Sequence, residues 1–336
     1  MDFYPIPLVV AFAVTFILTP FVRRVAIRLG ILDHPDKRKM HENDMPLLGS
    51  IAVYGGFLVG VFLSGISPIL QKDLLIILFA GTMLLVVGVL DDAGFLHPQI
   101  KLMVAMPVAG IVLIFFDLYL KIFPINLLNY FFTLFWVVGI TAAYNLLDGM
   151  DGLSTGVCVI ASFFYLMVGW IAGDSFLISI SIPLMGACLG FLIYNFNPAK
   201  IFLGDSGAIL LGFLLASMGL HVANSDSLPI LTRWMLPILI ISVHIFDTSL
   251  ITLSRLRRGL IPFLHPGKDH SHHRLYNLGL GQRKTVLVIY LFGATGGLLS
   301  LLIYPLPPIW VYLIFSLLLL FGLALLNLFE KLPYER

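Results

Sequence analysis

Eleven apolar runs of roughly membrane length dominate this chain and leave few folds open to it. A helix needs about 20 such residues to cross the hydrocarbon core of a bilayer. Runs fitting that template occupy 5–27, 48–66, 74–90, 100–117, 129–147, 153–172, 175–194, 203–222, 229–252, 284–304 and 308–329. Of the 336 residues, 59% are hydrophobic and 11% charged, whereas a soluble domain carries about 25% charged residues. The expectation is an all-α, polytopic integral membrane protein of about eleven transmembrane helices. It reads as one domain over 1–336, with polar loops near 30–47, 91–100, 148–152, 195–203 and 254–283. Pro107, Pro183 and Pro237 fall inside runs, which neighbouring helices in a membrane can accommodate. The first run is too long for a signal-peptide core and has no basic stretch before it, so it reads as a retained helix. Cys158 and Cys188 lie in apolar runs without metal-like spacing and read as packing residues.

Charge then sets an orientation. Arg23, Arg24, Arg28, Lys37, Arg38 and Lys39 follow the first run, which makes that side cytoplasmic by the positive-inside rule. Alternation through eleven spans puts 17 of the 20 basic residues there and leaves Lys72, Lys121 and Arg233 opposite. The N-terminus is then external and the C-terminus cytoplasmic. The net charge of +2 is thus a topology signal and gives no reason to expect a nucleic-acid partner.

On the same inner face the acids gather. Asp91 and Asp92 end the third run, Asp148 and Asp151 follow the fifth, and Asp205 opens the eighth. Adjacent carboxylates raise each other's pKa unless a cation intervenes, and a hard divalent ion with oxygen ligands is an economical partner. Helix termination by a solvated acid pair is the plain alternative. Asn145-Leu-Leu-Asp148-Gly-Met-Asp151-Gly152 packs two carboxylates and an amide between two apolar runs, at a cost of several kcal/mol unless water or a cation compensates. A polar loop ending a helix is the bland reading.

Two further stretches carry chemistry. Asn197-Pro-Ala-Lys200-Ile-Phe202-Leu-Gly204-Asp205-Ser-Gly207 joins a cation to an acid at a helix start, where free N–H groups suit phosphate or carboxylate; a simple N-cap aspartate is the alternative. The loop after run nine reads Arg255-Leu-Arg257-Arg258, then His265-Pro-Gly-Lys268-Asp269-His270-Ser-His272-His273-Arg274. It is open to three readings: a zinc site, a lobe binding phosphate and a base, or a solvated basic loop serving topology alone. Asp247 is either paired with the arginines or part of the site.

These residues resemble the polyprenyl-phosphate N-acetylhexosamine-1-phosphate transferases. The likeness runs from about Ile31 to Arg283 and rests on four signatures in order: Leu90-Asp91-Asp92, Asn145-x-x-Asp148-Gly-x-Asp151-Gly, Pro198-Ala-Lys200-x-Phe202-x-Gly-Asp205-x-Gly207, and Asp269-His270-x-His272-His273-Arg274-Leu275. The His-x-His-His form looks more like the GlcNAc-1-phosphate branch than the lipid I branch. One departure is Pro46-Leu-Leu-Gly49-Ser50, where relatives tend to carry a second glycine in place of Ser50. That segment, with Arg38 and His41, is expected near the substrate.

The resemblance implies an enzyme of the bacterial plasma membrane that takes a UDP-N-acetylhexosamine, with GlcNAc as first expectation, and undecaprenyl phosphate to undecaprenyl-diphospho-sugar plus UMP. It would open a cell-envelope glycopolymer. The implied cofactor is Mg²⁺, with Mn²⁺ as alternative, and the oligomeric state stays open between one chain and a homodimer. Asp205 is the first choice of metal ligand, with Asp91, Asp92 and Asn145. Asp148 and Asp151 would order the loop and, with Asn145 and Asn195, help form a uridine pocket on which Phe202 stacks. His270, His272, His273 and Arg274 would bind diphosphate or sugar, and Lys101 and Lys200 would add positive potential. Direct attack by the lipid phosphate and a two-step route through an aspartate both remain open.

Two other classes fit an apolar chain rich in acids. An ion-coupled transporter should carry them near the midplane in broken helices, and here they collect at one face. An intramembrane aspartyl protease needs Gly-x-Gly-Asp, and here Phe202-Leu-Gly204-Asp205 lacks the first glycine.

Overall fold

The computed structural model describes residues 5–35, 43–65, 72–96, 100–262 and 267–334; Arg38, His41 and His265 lie outside them. The chain is all-α, and the only strands among the described residues are two short ones, Leu32–Asp33 and Met45–Pro46, paired antiparallel within the first polar loop. The helices are α1 (Ile6–Leu29), α2 (Gly49–Leu63), α3 (Lys72–Asp92), α4 (Lys101–Phe115), α5 (Asn126–Leu147), α6 (Leu153–Ala172), α7 (Ser175–Asn195), α8 (Asp205–Ala223), α9 (Ile230–Ile240), α10 (Ser242–Arg257), α11 (Ser271–Leu275), α12 (Gly281–Ile303) and α13 (Pro308–Glu330).

Every expected run is helical, but they are not eleven equal spans. Eight helices are long and apolar enough to cross a membrane, counting α11 and α12 as one. The second and fourth runs yield only α2 and α4, which are shorter; 15 residues at 1.5 Å each reach about 22 Å of a core about 30 Å thick. The ninth run is broken into α9 and α10, bent by 77°. Ile241 leaves helical geometry there, four residues after Pro237, and the residues that follow are Ser242, His244 and Asp247. Irregular backbone at membrane depth is tolerated where it is buried in protein.

The bundle is built around α8. Nearly every residue of this helix is buried, as expected of one that is apolar all round, and α2, α3, α5, α6 and α9 pack against it. At the other extreme α13 buries only Val311, and its exposed leucines and phenylalanines suit lipid. Where α1 crosses α7, a Cβ at Gly186 would lie 2.4 Å from the Leu8 carbonyl oxygen, the close approach that small residues allow between membrane helices.

The helix ends sort into two groups. The C-terminal end of α3 and the N-terminal ends of α4 and α8 meet through Asp92, Lys101 and Asp205. At the far end of α8, His221 Nε2 lies 2.7 Å from Asp174 Oδ2, before α7, and Lys121 N donates to Asn224 Oδ1. Alternation of the runs requires this separation. Cysteines introduced at exposed Ser227 and Lys284, in a chain lacking Cys158 and Cys188, should therefore label from opposite sides, 227 from outside and 284 from the cytoplasm. Labelling of both from one side would contradict the topology. Ser271 is unsuitable for this test because it is buried.

Candidate active site

Three carboxylates and one lysine meet where α3, α4 and α8 converge. Lys101 Nζ donates to Asp91 Oδ2 at 2.7 Å and also to Asp205 Oδ2. Asp92 turns the other way and receives the start of α8. Its Oδ1 accepts from Asp205 N at 2.9 Å, and its Oδ2 accepts from Ser206 Oγ at 2.5 Å and Ser206 N at 3.3 Å. A carboxylate here satisfies orphan N–H groups and complements the helix dipole. The neighbouring pair Asp91 and Asp92 is thus divided between a lysine and a helix N-terminus, and needs no ion between its members. Gly204 makes the approach feasible, because it has φ 81° and a Cβ there would lie 2.5 Å from Asp92 Oδ2.

Exposure separates the roles further. The Asp91 side chain is 8% exposed and that of Asp205 44%. Asp205 is the open carboxylate of the group, at the N-terminus of the central helix. Asp148, just past α5, is half-buried; burial first, and then the charges of Asp205, Asp92 and Asp33, push its carboxyl up to about 7. Three residues earlier, Asn145 Oδ1 is buried without a hydrogen-bond partner among the described residues. The carboxylate oxygens of Asp91 and Asp205, which share Lys101, and the orphaned amide oxygen of Asn145 are of the donor type that suits Mg²⁺.

Asp151 knits two loops together. Its Oδ2 accepts from Asn197 Nδ2 at 2.9 Å and Ala199 N at 3.0 Å, while Asn197 Nδ2 also donates to Gln282 Oε1 at 2.7 Å. Asp151 therefore ties the 148–152 loop to the loop that follows α7. Asn195, expected at a uridine, is buried, with Nδ2 donating to the Ile201 carbonyl and Oδ1 accepting from Thr155 Oγ1. Both ends of its amide hold the loop. Phe202 is half-buried and its backbone pairs with the first polar loop: its N–H donates to the Pro46 carbonyl at 2.8 Å, and its carbonyl accepts from Gly49 N at 3.1 Å. Lys200 is exposed at the same rim.

The departure at Ser50 is accommodated. Ser50 is buried and its Oγ lies 2.7 Å from Ser206 Oγ, extending the chain of bonds that ends at Asp92. The sequence marks Ser50 only as a departure and gives Ser206, at the unassigned position of the Gly-Asp-x-Gly signature, no role.

The histidine loop divides in an unexpected way. Arg274, expected on a substrate anion, is fully buried and faces inward. Its guanidinium donates to the carbonyls of Asp269, Phe329 and Glu330 and to Ser254 Oγ, so it docks the end of α13. Arg255 grips Asp269 through two bonds of 3.0 and 2.7 Å, and Arg258 joins them. Burial works to raise the Asp269 carboxyl, but these guanidinium groups hold it below the usual carboxylate range. Asp247 is not paired with that cluster; its Oδ2 lies 2.7 Å from His270 Nδ1. His272 is fully buried against the 148–152 loop, where a Cβ at Gly149 would come 2.6 Å from its Nε2. His273 tilts against it, ring centroids 4.2 Å apart.

Comparison with other proteins shows the family. Residues 74–223 match the family model described as glycosyl transferase family 4, a span holding Asp91, Asp92, Asn145, Asp148 and Asp205. The chain is 35% identical to a probable undecaprenyl-phosphate N-acetylglucosaminyl 1-phosphate transferase of Bacillus subtilis, over 95% of this chain and 91% of that one. It is 32% identical to a decaprenyl-phosphate N-acetylglucosaminephosphotransferase of Mycolicibacterium smegmatis, over 83% and 77%. It is 30% identical to an undecaprenyl-phosphate alpha-N-acetylglucosaminyl 1-phosphate transferase of Escherichia coli O157:H7, over 94% and 89%. With its signatures assembled at one end of a polytopic helical bundle, the chain belongs to glycosyl transferase family 4, among the polyprenyl-phosphate N-acetylhexosamine-1-phosphate transferases.

Proposed function

We propose that this protein transfers GlcNAc-1-phosphate from UDP-GlcNAc to a polyprenyl phosphate at the cytoplasmic face of a bacterial plasma membrane, releasing UMP. The names of the relatives support the sugar phosphate and the lipid acceptor. The observation that carries the reading is the open Asp205 carboxylate, at the N-terminus of α8 within a group of acids and one lysine.

Two anionic substrates must meet, one soluble and one held by its tail in the bilayer. Asp205 and Asp91, which share Lys101, would hold Mg²⁺, with Asn145 as a further oxygen donor; when bound, the ion would neutralise diphosphate oxygens and stabilise charge on the departing UMP. Lys101, which binds both Asp91 and Asp205, adds a fixed positive charge. Asp92 fixes the direction of the α8 N-terminus, and Asp151 fixes the loop beside it. A phosphate monoester is largely dianionic at neutral pH, so the lipid phosphate oxygen needs little help to attack the β-phosphorus. The bond from β-phosphorus to the bridging oxygen breaks, and UMP leaves with the electron pair. Phosphoryl transfer of this kind asks mainly for positioning and charge stabilisation.

A panel of UDP-sugars with polyprenyl phosphate, read by the mass of the lipid product, tests the proposal. UDP-GlcNAc should give the polyprenyl-diphospho-GlcNAc mass and UMP; a panel in which no UDP-sugar yields lipid product would contradict it. Gly149→Ala should cut turnover by about tenfold or more, equivalent to ~1.4 kcal/mol, because the added methyl meets the enclosed His272 ring. Unchanged turnover in a folded Gly149→Ala protein would show that this contact does not matter.

A further inference from the structure

We infer that Asp247, His270 and His272 form a second cation site, for one divalent transition ion of the zinc class, between α10 and α11. One ligand atom from each lies within 4.8 Å of the other two. The three come from a break-flanking helix and a polar loop, and none belongs to the Asp205 group.

His272 demands a partner most strongly. It is 0% exposed, and both of its ring nitrogens lack a hydrogen bond among the described residues. A polar group buried in that state costs a few kcal/mol, which an ion at its lone pair would offset. Asp247 is likewise 0% exposed. Its Oδ1 accepts from Ser271 N at 2.7 Å and Ser271 Oγ at 2.6 Å, the outer hydrogen bonding that orients a ligating carboxylate. Its Oδ2 lies 2.7 Å from His270 Nδ1, and a bound cation would replace any proton held between them.

Charge decides between a cation and an anion here. An anion would face the buried Asp247 carboxylate. The nearby arginines cannot compensate, since Arg255 and Arg258 grip Asp269 and Arg274 holds three carbonyls and Ser254. Two imidazoles and a carboxylate instead match the ligand preference of zinc rather than that of Mg²⁺. Three protein ligands leave a position open, and the cluster adjoins Gly149 of the acidic loop.

The inference does not depend on the transfer reaction, and its test reads no turnover. The full-length protein in detergent, treated with chelator, is titrated with Co²⁺ as a spectroscopic substitute for zinc, alongside elemental analysis. One Co²⁺ per chain should bind with the intense visible bands of a tetrahedral site, displaced by one equivalent of Zn²⁺ but not by excess Mg²⁺. Ser271→Ala should weaken binding about 10–100-fold, and His272→Gln should weaken it further. Asp205→Asn should leave the Co²⁺ stoichiometry unchanged. Wild-type protein that gives no tetrahedral bands, or that binds no more Co²⁺ than folded His272→Gln, would overturn the site while leaving the proposed transfer untouched.

Discussion

Asp205→Asn should lower turnover by roughly 10²–10³, the equivalent of a few kcal/mol of lost transition-state stabilisation. The asparagine keeps the size of the side chain, and the backbone bond from residue 205 to Asp92 Oδ1 does not involve the side chain, so the fold should survive. What goes is the most exposed carboxylate of the group and the second acceptor of Lys101. UMP release measured against Mg²⁺ concentration should show both a lower rate and a weaker Mg²⁺ midpoint. Asp226→Asn, at a fully exposed side chain on the opposite face, should behave as wild type. Near-normal turnover of Asp205→Asn with an unchanged Mg²⁺ midpoint would move the metal role to Asp91 or Asp92.

Asp269→Ala should instead cost stability, about 3–5 kcal/mol, the range for breaking a buried ion pair from one side. Arg255 and Asp269 have side chains that are each 3% exposed and are joined by two hydrogen bonds. Removing the carboxylate leaves Arg255 buried without its partner, and frees Arg258 as well. The sequence signature places Asp269 beside the histidines without giving it a role; in the structure it closes the loop onto α10. Thermal unfolding in detergent should show a clear loss of stability. A protein of wild-type stability with impaired turnover would instead give Asp269 a role at the substrate site.

The gross architecture is legible because eleven apolar runs can do little else in a bilayer. The nearness of Asp92 and Asp205 is legible too, since their runs end and begin on the same inferred face, and the two residues are hydrogen-bonded. Residue type does not reveal which way a side chain points. Arg274 has the chemistry of an anion ligand, yet it turns inward to the carbonyls at the end of α13, a contact between residues 55 positions apart. Asn195 is an amide at a loop and reads as a pocket residue, but both of its ends close that loop. The Asp91-Asp92 dipeptide reads as a repelling pair; successive residues on a helix point apart, so one acid takes Lys101 and the other takes α8. The bend at Ile241 is hidden because apolar composition continues through it, and only Pro237, His244 and Asp247 hint that the ninth run is discontinuous.

Whether a phosphorylated sugar is transferred is read directly by one labelling measurement. The purified protein is given polyprenyl phosphate, Mg²⁺ and UDP-GlcNAc carrying radiolabel on the β-phosphate alone, and the lipid and water phases are counted. Label should move into the lipid fraction in step with UMP appearing in water. Label remaining in water as UDP while sugar enters the lipid would mean transfer of the sugar without its phosphate, and would contradict the proposed transfer.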